Sequence, residues 1–536
     1  MLSAARMTVN RAFKIGHIDP RMYAGYIEPL FNTVYGGIFN PEHPRADDMG
    51  FRGDVLELVR ELGIPAIRLP GGNYVSGYDW TDTVGPLEQR KVRLDLAWRQ
   101  IEPNRFGLNE YLDWAKRAGA EPLLTVNLGT QGIGEAAALI EYCNRPGGTY
   151  WSDLRRRHGV EDPHNIKTWY LGNEMDGPWQ IGRLEGRDYG RKAREVAKAM
   201  KWVDPTIETI AVGSSSPLLH SHPQWNIDVL EECYELVDYL SIHYYHVAPM
   251  GDIPQLLVGS TVMEEFITAV LASCDFVQAK LREPRKMMLS FDEYALAMSR
   301  QPNVICTGRG GRIPNDAYYE FSPANLDRDF IDNTVAYQTP DNLSNGGDII
   351  DAVANASAVI ALLKHADRIK IGCMTVSLLG AIKTDKLHAW RSATYYTYLH
   401  FLRYGRGIAL VSAVTSPTYT TPGFNVNEYY QAASYDSVPY VEAVAVHNED
   451  EQTLTVFSIN KSPAEDIPFE IDVRDFEGYE LLEHIAVESD DLRAENSFED
   501  PEVIVPHAVP ATVLVDGTVR SVLHRMSWNV FRLGKG

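Results

Sequence analysis

The sequence predicts an α/β chain in which a (β/α)8 barrel is followed by an all-β jelly-roll or sandwich domain. Between about residues 20 and 405, eight short apolar runs alternate with longer amphipathic stretches. Near-continuous apolar runs of this kind are the pattern of parallel strands buried on both faces. After about residue 405 the helical period fades, and short alternating segments separated by turn signals take over, as in a sandwich.

The eight runs are MYAGYIE to Glu28, IPAIRL to Leu69, LLTVNL to Leu128, IKTWYL to Leu171, IETIAVG to Gly213, VDYLSIH to His243, MMLSFDE to Glu293 and RIKIGCMTV to Val376. Helix-like segments lie between them, among them FRGDVLELVREL, LNEYLDWAKRAG, DYGRKAREVAKAMKWV and IIDAVANASAVIALLKHAD. Eight strands alternating with helices point to a barrel, whose active site lies at the C-terminal strand ends. An open doubly wound sheet is the alternative. Residues 301–347 follow the seventh run without helical period, and a loop this long in a compact domain is usually functional or disordered. It is expected to lie over the barrel mouth. In the tail, YVEAVAVHN, TLTVFSINK, PFEIDVR, YELLEHIAV, ATVLVDG and SWNVFRL read as strands.

Composition limits the function. The chain has 536 residues, 45% hydrophobic and 23% charged, which is ordinary for a globular protein. Its 72 acidic and 50 basic residues give a net charge of −22, which argues against nucleic acid and anionic membrane surfaces as partners. Five cysteines, an odd number with no C-x-x-C pair, read as buried thiols of a reducing compartment. No apolar stretch approaching the ~18 residues of a membrane span is read from the sequence. The first twenty residues contain no apolar run long enough for a secretory signal. A cytoplasmic location is expected.

The polar residues that end the apolar runs carry chemistry. They include Glu28, Asn73 in PGGN, Asn173 and Glu174, His243 and Tyr245, and Asp292 and Glu293. All are expected on one rim. A carboxylate pair such as Glu174 and Glu293 is the minimal equipment for glycoside hydrolysis: one protonates the leaving oxygen while the other attacks or activates water. Trp80, Trp98, Trp179, Tyr244 and Tyr245 flank the same strand ends and offer ring faces to sugar C–H groups, although core packing is the commoner fate of an aromatic. Two rival signals are weaker. GTQGIGEAA (Gly129 to Ala137) follows a strand but has G-x-x-G-x-G spacing rather than the dinucleotide fingerprint. His220 and His222, with His243 and His246 further on, lack nearby carboxylates at metal-ligand spacing.

These motifs carry a resemblance. VYGGIFNPEHPRADDMGFRGDV, RLPGGNYVSGYDW, LAWRQIEPNRFGLNEY, WYLGNEMDGPWQIG, VDYLSIHYY, SFDE and the terminal SWNVFRL resemble the α-L-arabinofuranosidases of glycoside hydrolase family fifty-one. The resemblance implies Glu174 as acid/base, Glu293 as nucleophile, and Glu28, Asn73, Asn173, His243 and Tyr245 as furanose-binding residues, with Trp98 and Trp179 as candidate platforms beside them. It also implies a catalytic barrel over 19–405, a β-sandwich over 406–536 joined by a strand from residues 1–18, no metal, no organic cofactor, an oligosaccharide substrate and a homo-hexamer. Some positions depart from the family pattern. Pro29 follows Glu28 where relatives usually have His, Tyr294–Met298 replaces an aromatic WNVWY, and Cys373–Leu378 lacks a sugar-contacting Gln. Another furanoside, a β-linked glucan or xylan, or an inactive carbohydrate-binding role are the alternative readings.

Overall fold

Each of the eight apolar runs forms a parallel strand in the computed structural model. The structure describes residues 3–535, except 31, 99, 249–250, 299–346, 376–377, 379, 423, 426–430 and 433. The barrel strands are Gly25–Tyr26, Ala66–Leu69, Glu121–Val126, Thr168–Leu171, Glu208–Val212, Tyr239–Ala248, Met288–Met298 and Ile369–Met374. They hydrogen-bond in sequence order. The ring closes where the Ala24 N–H donates to the Gly372 carbonyl at 2.9 Å, a parallel bridge to Cys373. Closure separates a barrel from an open sheet. The interior is filled by Ala24, Tyr26, Ala66, Leu123, Tyr170, Ile210, Tyr239, Ile371 and Cys373, so it is a packed core and not a pore.

The expected helices form at Gly53–Leu62, Leu108–Ala118, Gly186–Val203 and Ile349–Leu363. The first two stop at left-handed Gly63 and Gly119, where glycine avoids the Cβ penalty. The apolar stretch Ile253–Leu281 needs an amendment to the sequence reading, because it is long and apolar enough to cross a membrane. It consists of two consecutive helices, Ile253–Leu257 and Gly259–Leu281, and 56% of its most apolar window is buried within the protein.

The sixth and seventh strands are unusual. They remain paired well past the ring, from Glu293↔His243 to Met298↔Ala248, after a register shift between Ser290 and Glu293. Thus Tyr294–Met298, where relatives carry an aromatic segment, continue a strand with buried side chains. Asn355 closes the outer edge, accepting from the Leu296 N–H at 3.2 Å and donating to the Leu296 carbonyl at 3.1 Å.

The C-terminal part is a ten-stranded sheet that folds over itself. The N-terminal strand Ala5–His17 lies inside it, antiparallel to Ile408–Thr415 (Met7↔Val414) and parallel to Ile467–Asp472 (Met7↔Ile471). The remaining strands include Val441–Asn448, Thr453–Asn460, Tyr479–Val487, Val513–Val515, Thr518–Leu523 and Ser527–Lys535. ATVLVDG is only half of a hairpin, turning at Asp516-Gly517 with both φ angles positive, as a tight Asp-Gly turn requires. The two halves of the sheet meet where His484 lies beside Thr512 and Ser521 and where the Phe531 and Phe469 rings approach to 6.1 Å. Sequence reading missed Ile408–Thr415 and the pair Thr418–Thr421 and Tyr435–Pro439. Nearly all of the 301–347 segment lies outside the described residues.

Cys143, Cys233, Cys274 and Cys373 are free and buried, and Cys306 lies outside the described residues.

Candidate active site

Strand ends bring two glutamates together at the barrel mouth. The fourth strand ends at Leu171, and Gly172 then turns the chain so that Asn173 and Glu174 face the barrel axis. Glu174 itself is left-handed at φ 43°, a strained conformation for a non-glycine residue that clusters at functional sites. The seventh strand supplies Glu293, paired in register with His243 of the sixth. One carboxylate oxygen from each glutamate and one ring nitrogen of His243 all lie within 4.8 Å of one another. Both glutamates are buried.

Each carboxylate has its own partners. Glu293 Oε1 accepts from Arg68 Nη1 at 2.7 Å and Tyr26 Oη at 3.3 Å, and Oε2 accepts from Tyr245 Oη at 2.8 Å. Glu174 Oε2 accepts from Trp179 Nε1, and Oε1 lies 3.0 Å from His243 Nδ1. The other His243 nitrogen is 3.3 Å from Asp292 Oδ2. Burial opposes a charge on His243, but Glu293 and Asp292 outweigh it and raise the imidazole to about 10. His243 is therefore a cation at neutral pH.

Sequence reasoning missed Arg68 and Tyr26. Arg68 is fully buried on the second strand and reaches Glu293, Asp292 (3.1 Å from Nε) and Asn173 Oδ1 (2.8 Å from Nη2). Its guanidinium lies 4.8 Å from the Tyr170 ring centre. Burial works against its charge, yet Asp292 and Glu293 hold it well above the usual arginine range. A lone arginine in the apolar run IPAIRL was the available signal, since a buried arginine needs carboxylate partners.

The first-strand end builds the neighbouring wall. Glu28 Oε1 accepts from the Tyr74 N–H at 2.8 Å and Trp98 Nε1 at 3.0 Å, and Oε2 accepts from Tyr26 Oη at 2.7 Å. Burial pushes the Glu28 carboxyl up, and the Glu293 charge adds to the rise. Asn173 Nδ2 donates to Asn73 Oδ1 at 3.2 Å. The PGGN turn is tight here: a Cβ at Gly72 would stand 2.4 Å from Glu293 Oε1 and 2.6 Å from Tyr26 Oη. At Gly71 it would stand 2.3 Å from the Glu28 Cβ. Glu28, Asn73, Asn173, His243, Tyr245, Trp98 and Trp179 thus join the glutamate pair in one continuous network.

Other singled-out residues lie elsewhere. Trp80 is buried against Tyr142 and Trp151, and Tyr244 points outward to His246. Gly129 and Thr130 donate their N–H groups to Asn127 Oδ1, so the glycine-rich turn is occupied with its own strand end. His222 Nδ1 lies 3.1 Å from Ser214 Oγ, and His246 Nε2 lies beside the Gln255 carbonyl. These histidines do not gather into a ligand set among the described residues.

A barrel with a buried glutamate pair at the ends of strands four and seven defines a glycoside hydrolase. Models of the α-L-arabinofuranosidase 1 domain and of the α-L-arabinofuranosidase C-terminal domain match residues 58–257 and 292–527. An intracellular exo-α-(1→5)-L-arabinofuranosidase from Halalkalibacterium halodurans is 42% identical over the full length of both chains, and one from Bacillus subtilis is 43% identical, also over both full lengths. A family 51 α-L-arabinofuranosidase structure from Bifidobacterium longum superposes with a TM-score of 0.84 at 30% identity, covering 98% of this chain and 99% of that one. An α-L-arabinofuranosidase arabinose complex from Thermotoga maritima gives 0.82 at 29% identity, covering 99% and 100%. The chain belongs to the α-L-arabinofuranosidases of glycoside hydrolase family 51.

Proposed function

We propose that this enzyme removes terminal α-L-arabinofuranose from arabinose-bearing oligosaccharides, α-(1→5)-linked ones first, by a retaining double displacement. The observation that carries this reading is the spacing of the two carboxylates. Retaining enzymes hold them about 5–5.5 Å apart, whereas inverting ones leave about 6.5–9.5 Å for a water. One oxygen of Glu174 lies within 4.8 Å of one of Glu293, a close approach that supports the retaining reading.

In this reading Glu293 attacks the anomeric carbon while Glu174 protonates the departing glycosidic oxygen, breaking that bond and leaving an arabinosyl ester on Glu293. Glu174, now a carboxylate, then takes a proton from water as the water oxygen displaces Glu293. Arg68 and Tyr245 orient the Glu293 oxygens. Glu28, Asn73 and Asn173 bind the furanose hydroxyls, Trp98 offers its ring beside them, and Trp179 holds Glu174. The relatives' intracellular names support a cytoplasmic site of action. By the family resemblance the reading includes a homo-hexamer, which sedimentation of the purified protein would test.

The test uses aryl α-L-arabinofuranosides with good and poor leaving groups. Glu293→Ala should abolish turnover of both. Glu174→Ala should spare formation of the ester from the good leaving group, and azide should restore part of the rate. Equal loss on both, without rescue, rejects the assignment. Proton NMR of the first product should show the substrate's own anomer; the inverted anomer rejects the double displacement.

A further inference from the structure

A buried ion pair of the sandwich reaches two barrel helices that pack on the catalytic strands. Glu442, on strand Val441–Asn448, and Lys461, just after strand Thr453–Asn460, have side chains 4% and 0% exposed. They bond to each other, and both reach into the barrel. Lys461 Nζ donates to the Leu257 carbonyl at 3.0 Å, and Ser260 Oγ donates to Glu442 Oε1 at 2.8 Å. Lys364 of the barrel lies 4.0 Å from Glu442 Oε2. The pair therefore holds the Leu257–Ser260 junction between two barrel helices from the sandwich side. Gln255, one turn earlier, is also held from the sandwich side, donating to the Pro422 carbonyl.

That junction bears on the catalytic strands. The Gln255 carbonyl receives His246 of the sixth strand. Gly259 is packed so closely that a Cβ there would stand 2.7 Å from Leu296 of the seventh strand and 3.0 Å from the His246 ring. His246 and Leu296 are register partners. They lie one and three residues beyond Tyr245 and Glu293. A shift of the junction is thus transmitted to both strands close to the point where Tyr245 meets Glu293.

We propose that Glu442 and Lys461 are positioning residues for catalysis: by pinning the Leu257–Ser260 junction, the sandwich sets the seat of Tyr245 against Glu293. This inference rests on the function proposed above. The two charges make such a device directional, since a buried ion pair tolerates little displacement, whereas apolar side chains can slide.

The test compares Lys461→Met with the double variant Glu442→Gln/Lys461→Met. The single variant strands a buried carboxylate and is expected to lose stability; the double variant removes both charges and is expected to fold with a Tm near that of the wild type. In the double variant kcat on an aryl α-L-arabinofuranoside should fall about tenfold with KM nearly unchanged, the outcome of a slightly misplaced nucleophile. In a Tyr245→Phe background the same pair of substitutions should cost much less, because the contact it serves is already gone. A crystal structure of the double variant should show Tyr245 Oη beyond hydrogen-bond reach of Glu293, more than about 3.5 Å away. Unchanged kcat in the folded double variant, full additivity with Tyr245→Phe, or a retained Tyr245–Glu293 bond each overturns the proposal. Failure of the wild type to turn over any arabinofuranoside would instead overturn the functional reading, and the crystal structure would still judge the clamp.

Discussion

A methyl group is a sharp probe of this site, because Gly72 faces the Glu293 carboxylate and Gly71 packs against the Glu28 stem. Gly72→Ala should leave the fold intact and displace the Glu293 carboxylate from Arg68, since the new Cβ would stand only 2.4 Å from Oε1. A loss in kcat on the order of 100-fold, with circular dichroism unchanged, is the expected outcome. Gly71→Ala should be worse for folding, because Gly71 is also at φ 102°. His243 supplies a second prediction, in pH. Its imidazole is raised to about 10 in the folded chain against about 6.5 unfolded. The stabilisation is therefore fully present below about 6.5 and is lost as pH climbs through 10. Tm measured across that window should fall for the wild type and fall less for His243→Asn; an identical slope for both would reject the assignment. At this scale the site was partly legible in the sequence. Glu28, Glu174, His243 and Glu293 stand at or just beyond the ends of apolar runs, so their common rim follows from where each run stops, although the sixth and seventh strands continue to Ala248 and Met298. Arg68 and Tyr26 sit inside runs, and their meaning appears only when the seventh strand brings Asp292 and Glu293 opposite them.

Among the elements, the hairpin of strands Arg93–Leu94 and Ile101–Glu102 supports the wall that Trp98 and Glu28 form. Asp95 accepts from the Ala97 N–H at 2.8 Å and the Trp98 N–H at 3.3 Å, and so holds the tryptophan whose indole donates to Glu28. Burial pushes the Asp95 and Glu102 carboxyls up to about 7. A raised carboxyl favours the protonated form in the fold, so its stabilisation is present at acid pH and is lost as pH rises to 7. Asp95→Asn keeps an acceptor and removes the titration; it should flatten the Tm profile between about pH 4 and 7 while preserving turnover. Asp95→Ala loses the acceptor and should raise KM severalfold through a loosened Trp98. Equal KM for the two variants would remove Asp95 from this role. The eight barrel strands were legible because strands covered on both faces must be apolar throughout. Ile408–Thr415 was not, because only its first residues are buried and the rest alternate toward solvent directly after a helix.

For the whole molecule, the N-terminal strand is decisive. Ala5–His17 sits inside the ten-stranded sheet, with paired neighbours on both sides. Deleting residues 3–17 should split that sheet and expose the buried edges of Ile408–Thr415 and Ile467–Asp472 together with Met7 and Val9 contacts. The expected outcome is loss of a single cooperative unfolding transition and of soluble yield; a truncated chain melting like the intact one would contradict it. The strand itself was expected from the family resemblance, but its register was not readable locally, because nothing in residues 5–17 names partners some four hundred positions away.

This threading has a consequence for how the chain is born. The first strand leaves the ribosome long before its partners: roughly 390 residues separate His17 from Ile408, about 20–80 s of synthesis at common elongation rates. For that interval the nascent strand is an unpaired β edge, free to zip onto a copy from a neighbouring ribosome. Arg6, Arg11 and Lys14 are spaced along it, and charges on an open edge discourage such pairing. Their salt bridges to Glu470, Asp475 and Glu449 form only after the C-terminal strands emerge. The same three side chains that discourage pairing of an open edge thus end as surface salt bridges within the finished sheet.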